Sequence, residues 1–119
     1  MARELLIKLE SQRESILQQL AEIGDFRPGS LSQRFRRCGK PSCHCAQDDS
    51  PGHGPNWILS RKRRGQQSVS HLVPDEALEA TRDHLEQYRR FDELVDQLVE
   101  VNDALCQAKI RADRRKKTS

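Results

Sequence analysis

The sequence predicts a mainly α-helical fold with one small β-hairpin, in which two long helices flank a cysteine–histidine knuckle. Three observations carry this. Both ends of the chain repeat apolar residues on three- and four-residue steps, the signature of a helix with one buried stripe. The middle gathers Gly, Pro and three cysteines within eight residues, from Cys38 to Cys45. Between the middle and the second helix, two short β-prone runs flank a basic turn. Apolar residues make up 34% of the 119-residue chain and charged residues 33%, too few apolar groups for a thick globular core. Paired helices need only a narrow seam, so coiled-coil-like helix packing and homo-oligomerisation through the helices are expected.

Residues 1–24 form the first element. Leu6, Leu9, Ile16, Leu20 and Ile23 keep the helical step once Arg13 is allowed as a polar interruption. Gly24 then stands where a C-terminal cap belongs, and Pro28 forbids continuation. Residues 25–56 are a linker and knuckle, with Leu31 to Arg37 readable as a helical turn or an extended arm. From 38 to 56 the segment holds Gly39, Pro41, Pro51, Gly52, Gly54 and Pro55, and it lacks the large apolar residues that would fold it. Such a stretch needs a cross-link to be ordered.

Residues 57–73 read as a basic β-hairpin. Trp57–Ser60 and Ser68–Val73 are the strands, and Gly65 supplies the backbone freedom of the turn. Residues 74–110 are a long helix begun by Pro74, Asp75 and Glu76 at the positive end of its dipole. Its stripe (Tyr88, Phe91, Val95, Leu98 and Leu105, widened by Leu78, Leu85, Leu94 and Val99) exceeds a two-position seam, so more than one neighbour is expected. Asn102 interrupts the stripe, either to fix register or as a solvated residue near the helix end. Residues 111–119 are a basic tail, expected to be disordered unless bound.

Zinc prefers four thiolate or imidazole ligands in a tetrahedron. Cys38 and Cys43 are spaced so that Gly39 and Pro41 can turn the chain around an ion, and Cys45 follows two residues later. His53 comes after a Pro-Gly turn and closes the set; His44 ranks second as fourth ligand. The expected site is therefore Zn2+ on Cys38, Cys43, Cys45 and His53. Free thiols in a loop, and a redox-sensing thiol pair beside Arg37 and Lys40, are the alternatives. Cys106 lies on a helix face, where packing is the simpler role. With four protein ligands no position is left for water, and no Gly-rich phosphate loop or Ser/His/Asp arrangement is present, so an enzyme is not expected.

Charge is segregated along the chain, whose net is +3. Residues 27–64 carry nine basic and two acidic side chains, whereas residues 75–103 carry three basic and ten acidic. Arg61, Lys62, Arg63 and Arg64 at the hairpin tip, backed by Arg34, Arg36, Arg37 and Lys40, suit nucleic-acid phosphates, DNA or RNA. Gln66 and Gln67 are candidates for reading base edges. Trp57 is a candidate for stacking on a base, with packing against the knuckle or the helices the favoured role. The competing reading is a protein–protein adaptor, in which the basic middle docks on an acidic helix. No apolar run approaches the ~20 residues of a membrane span, and the N-terminus turns amphipathic at once without a signal-peptide core. A cytoplasmic location is expected, and there clustered cysteines are more often metal ligands than disulfides.

Several of these motifs together resemble a bacterial family of short proteins classed as a domain of unknown function. They are Asp25–Leu31, Arg37-Cys38-Gly39-Lys40 with Cys43 and Cys45, His53-Gly54-Pro55, the hairpin, and Gln87-Tyr88-Arg89-Arg90-Phe91. The resemblance spans roughly residues 5–106. It implies a Cys/His metal-binding knuckle between helices, and an accessory role in mobile elements with a transposase or recombinase as partner. The sequence departs from the family after Gly54-Pro55, where an aromatic pair or run is usual and Asn56-Trp57 stands here.

Overall fold

In the computed structural model the described residues are 2–47, 50, 52–63, 65 and 67–118, without the side chains of Ala2, Cys45 and residues 116–118. The elements in chain order are α1 (Ala2–Ala21), β1 (Ser30–Arg36), a short 3-10 helix (His44–Ala46), β2 (His53–Lys62), β3 (Ser68–Val73), a second 3-10 turn (Asp75–Ala77) and α2 (Leu78–Thr118). They group into two compact units, one of residues 1–25 with 87–119 and the other of residues 26–86.

The first unit pairs α1 with the later turns of α2. Ile16, Leu94 and Leu105 are buried, as the apolar periodicity predicts. The helices run antiparallel, because Glu10, Arg13 and Gln19 face Lys109, Asn102 and Arg90 in that order. The polar interruption in each stripe meets the other: Arg13 donates to Asn102 Oδ1 at 3.3 Å. That contact is partly buried, so mispairing would leave both groups without a partner in an apolar seam. A groove lined by Gln12, Ile16, Gln19, Glu100 and Val101 lies between the helices. Polar and charged side chains line that groove together with Ile16 and Val101.

The second unit corrects the expected fold class. It holds a three-stranded antiparallel sheet in the order β1-β2-β3, and the hairpin β2–β3 is only part of it. The segment 30–36, readable as a helical turn or an extended arm, is the third strand. It pairs along β2 from Ser30 opposite Ser60 to Arg34 opposite Asn56. β2 also begins at His53, four residues before the predicted strand, because β1 offers it partners there.

Cross-strand neighbours project to the same face of a sheet. Leu31, Leu59 and His71 form one rung, and Gln33, Trp57 and Val73 the next. Leu59 is 1% exposed and Val73 is buried, so this is the covered face. The start of α2 lies over it: the Arg82 guanidinium sits 5.1 Å from the centre of the Trp57 ring, a cation–π contact. His84 O accepts from the Arg27 amide at 3.3 Å. Ser32, Ile58 and Leu72 form a rung of the opposite face, where Leu72 is 65% exposed.

At the far end, α2 is helical to Thr118. The basic segment 111–118 continues the helix, where the composition predicts disorder. Cationic side chains in a last turn are favourable at the negative end of the helix dipole.

If the Arg13–Asn102 contact fixes helix register, Arg13→Ala and Asn102→Ala will not add. A double-mutant cycle read by urea denaturation should return a coupling of about 0.5–1.5 kcal/mol.

Candidate metal centre

The candidate centre is built at the end of the sheet where β1 leaves and β2 enters. Ladder pairing there skips one residue: Arg34 faces Asn56, but Arg36 faces His53. Gly54 and Pro55 on β2 thus stand opposite Phe35 alone, which makes a β-bulge. Its effect follows from the two-residue period of a strand. Without the extra residue His53 would share the face of Trp57; with it, His53 moves to the face of Arg36. Cys38, two residues beyond Arg36, is brought to the same place.

Two glycines permit this path. Gly52 has φ +100° and Gly54 has φ +126°, both in the region that side chains avoid. A Cβ at Gly52 would lie 3.0 Å from Arg36 O, and one at Gly54 would lie 2.9 Å from Arg34 O. The Gly54–Pro55 peptide is cis.

Cys43 arrives from the loop between β1 and β2. Its amide donates to Lys40 O at 3.1 Å, closing a turn with Pro41 at the second position. The 3-10 helix follows, with Gln47 N donating to His44 O at 3.2 Å and Ser50 N to Gln47 O at 3.1 Å. Arg37 then ties the loop down. Its guanidinium donates to Gln47 O at 3.1 Å and Ser50 O at 2.9 Å.

The result is that the ligand atoms of Cys38, Cys43 and His53 all lie within 4.8 Å of one another. Cys43 Sγ is 3.1 Å from His53 Nε2. Zn–S and Zn–N bonds of tetrahedral sites place sulfur and nitrogen ligands about 3.6 Å apart and two sulfurs about 3.8 Å apart. Shifts of no more than about 1 Å in these separations would bring the three atoms to coordination spacing. His44 is not a member of the triad; its Nδ1 is 3.8 Å from Cys43 Sγ and its ring meets that of His53 edge-on, centroids 5.0 Å apart. Cys45 is a backbone member of the 3-10 helix, and its side chain lies outside the described residues.

The expected phosphate-binding residues are placed less uniformly. Arg34 and Arg36 are exposed on β1, and Arg61 and Lys62 end β2, with Arg61 half-buried. Lys40 and Arg63 are exposed in loops. Arg37 is engaged with loop carbonyls, a positioning role that spacing alone did not show. Arg64 and Gln66 lie outside the described residues. Trp57 packs under Arg82.

Residues 6–83 match the family described as Domain of unknown function (DUF6788). The chain belongs to this family. In this DUF6788 member the matched stretch takes in the whole sheet and the metal-site candidates, and it ends before Gln87–Phe91. No curated protein and no solved structure matches the chain. Among the described residues, no helix is long and apolar enough to cross a membrane.

The close approach of the Arg36 backbone, together with its positive φ, makes Gly52 sensitive. Gly52→Ala should destabilise by about 2–3 kcal/mol in denaturant unfolding. Gly39→Ala, also at positive φ but with nothing within 4 Å, should cost about 1 kcal/mol.

Proposed function

We propose that the chain is a zinc-stabilised nucleic-acid-binding accessory protein that contacts phosphates through its basic hairpin. The observation that carries this is a juxtaposition. A thiol–thiol–imidazole triad within 4.8 Å stands at one end of a sheet whose strands hold Arg34, Arg36, Arg61 and Lys62 and no acidic residue. Cys38, Cys43 and His53 supply three ligands, and Cys45, two residues from Cys43, is the fourth. A site closed by four protein ligands organises structure and leaves no position for substrate, so the reading is of a binding protein and not an enzyme. The role of the ion is to hold the loop between β1 and β2, and with it the end of the sheet. DNA or RNA would neutralise the sheet's cations by phosphate contact.

The mobile-element setting that the sequence resemblance implies, with a transposase or recombinase nearby, is consistent with an accessory binder. A second reading rests on charge. The strands are basic, whereas residues 75–103 carry three basic and ten acidic side chains, so the same sheet could dock on an acidic helix as an adaptor.

Native mass spectrometry of the purified chain should show one zinc per chain. His53→Ala should weaken zinc by more than about 100-fold, beyond the 10–100-fold loss seen when a residue merely supporting a ligand is removed. A metal-free chain that keeps its fold would sink the zinc reading. Charge reversal at Arg61, Lys62 and Arg63 should lower nucleic-acid affinity, and wild-type affinity should fall steeply with salt. If the reversal leaves that affinity unchanged and instead dissolves an oligomer, the adaptor reading replaces this one.

A further inference from the structure

α2 carries a second apolar seam that α1 leaves uncovered. Val99 and Ile110 are each 57% exposed, and each lies five residues beyond a buried leucine, Leu94 and Leu105. Five residues turn a helix by about 140°, so these two side chains stand away from the face that α1 covers. They are separated by about three full turns and therefore share one face. Asp103 and the exposed Cys106 stand between them, giving the four-three-four steps of a heptad seam. We propose that this seam is the contact between two copies of the chain, with α2 packed antiparallel on α2 about a two-fold axis level with Leu105. The proposal goes beyond the nucleic-acid reading above and does not depend on it.

Charge sets the orientation. Residues 92–103 carry five acidic side chains and no basic one, whereas residues 109–115 carry four basic and one acidic. Parallel packing would lay acid on acid and base on base. Antiparallel packing lays each block on the opposite one. A two-fold contact makes every pairing twice, and residues equally far before and after its axis meet. Val99 then faces Ile110 of the other copy, Asp96 faces Arg114 and Glu100 faces Arg111. At 100° per residue these four charged positions fall along one flank of the seam. Asp113, the one acid of the basic block, falls on the other flank.

The middle of the seam is polar but not bare. Gln107 Nε2 donates to the Asp103 carboxylate at 3.0 Å. A carboxylate that a partner helix covers needs such a donor, and a polar group at a seam position fixes register at some cost in stability. α1 has no comparable division of charge: Lys8 stands between Glu4 and Glu10, and Arg13 between Glu10 and Glu14. It would therefore give a second copy no preferred direction. Exposed ion pairs add little affinity. Here they select the orientation, while burial of Val99 and Ile110 supplies the attraction.

Sedimentation equilibrium of the full chain over a range of concentrations tests this, and a dimer should form. Ile110→Gln should weaken it about tenfold, because the change enters twice in each dimer. Glu100→Arg and Arg111→Glu should each weaken it several-fold, and the double variant Glu100→Arg/Arg111→Glu should recover the wild-type constant. In a parallel dimer like would still face like after either single reversal, so indifference to both would overturn the antiparallel arrangement. All three residues are exposed, so far-UV circular dichroism of each variant should match the wild type, which separates a lost contact from a lost fold. A chain that stays monomeric at every concentration, or a dimer indifferent to Ile110→Gln, would overturn the proposal. So would a dimer that dissolves only on charge reversal at Arg61, Lys62 and Arg63, which would assign self-association to the basic sheet.

Discussion

One extra residue in β2 governs the arrangement of the whole sheet end. Gly54 and Pro55 share the place opposite Phe35, and everything beyond them on β2 is turned over relative to a regular ladder. His53 thereby joins Arg36 and Cys38, and a histidine that the regular period would have sent under α2 faces the two thiols instead. The cost is borne by the backbone, in two glycines whose φ angles side chains avoid. Bulges of this kind are features of a design, since a regular strand would have been easier to form.

Around that fixed point the loop between β1 and β2 is held by polar means. It has no large apolar side chain to bury, so its order rests on turn hydrogen bonds, on the two bonds from Arg37 and on the convergence of Cys38, Cys43 and His53. These differ in reach. Turn bonds act over three residues, whereas the guanidinium spans ten and thirteen residues of sequence. Bonds between exposed groups contribute about 1 kcal/mol each at most. An ion on thiolate and imidazole ligands contributes far more, which is why small loops of this composition so often depend on one.

How much of this was legible in the sequence differs by element, for physical reasons. The helices were, because apolar residues spaced by three and four can only line up on a helix. Even their defects were informative: Arg13 and Asn102 break two separate stripes and meet each other. The convergence of Cys38, Cys43 and His53 was also readable, since thiols and an imidazole gathered among turn residues are the donor set a metal ion prefers. β1 was not. With Leu31 and Phe35 as its only apolar residues in seven, it has almost no alternation of its own. It is a strand because β2 offers partners 17 to 30 residues later, and such long-range pairing leaves little local trace. The bulge, and so the reason His53 points where it does, required the register. The part played by Arg37 was hidden for a similar cause, as a guanidinium that holds carbonyls looks in sequence like one that awaits a phosphate.

The order β1-β2-β3 also leaves the sheet with two unlike borders. β1 bears Arg34 and Arg36, and charge discourages a foreign strand from adding there. β3 is six residues, Ser68–Val73, with regular pairing to β2, no charged side chain and no proline. Its outer row of amides and carbonyls is an open template. Unwanted aggregation, when this protein is crowded or partly unfolded, has its natural starting point on β3, beside the exposed Leu72.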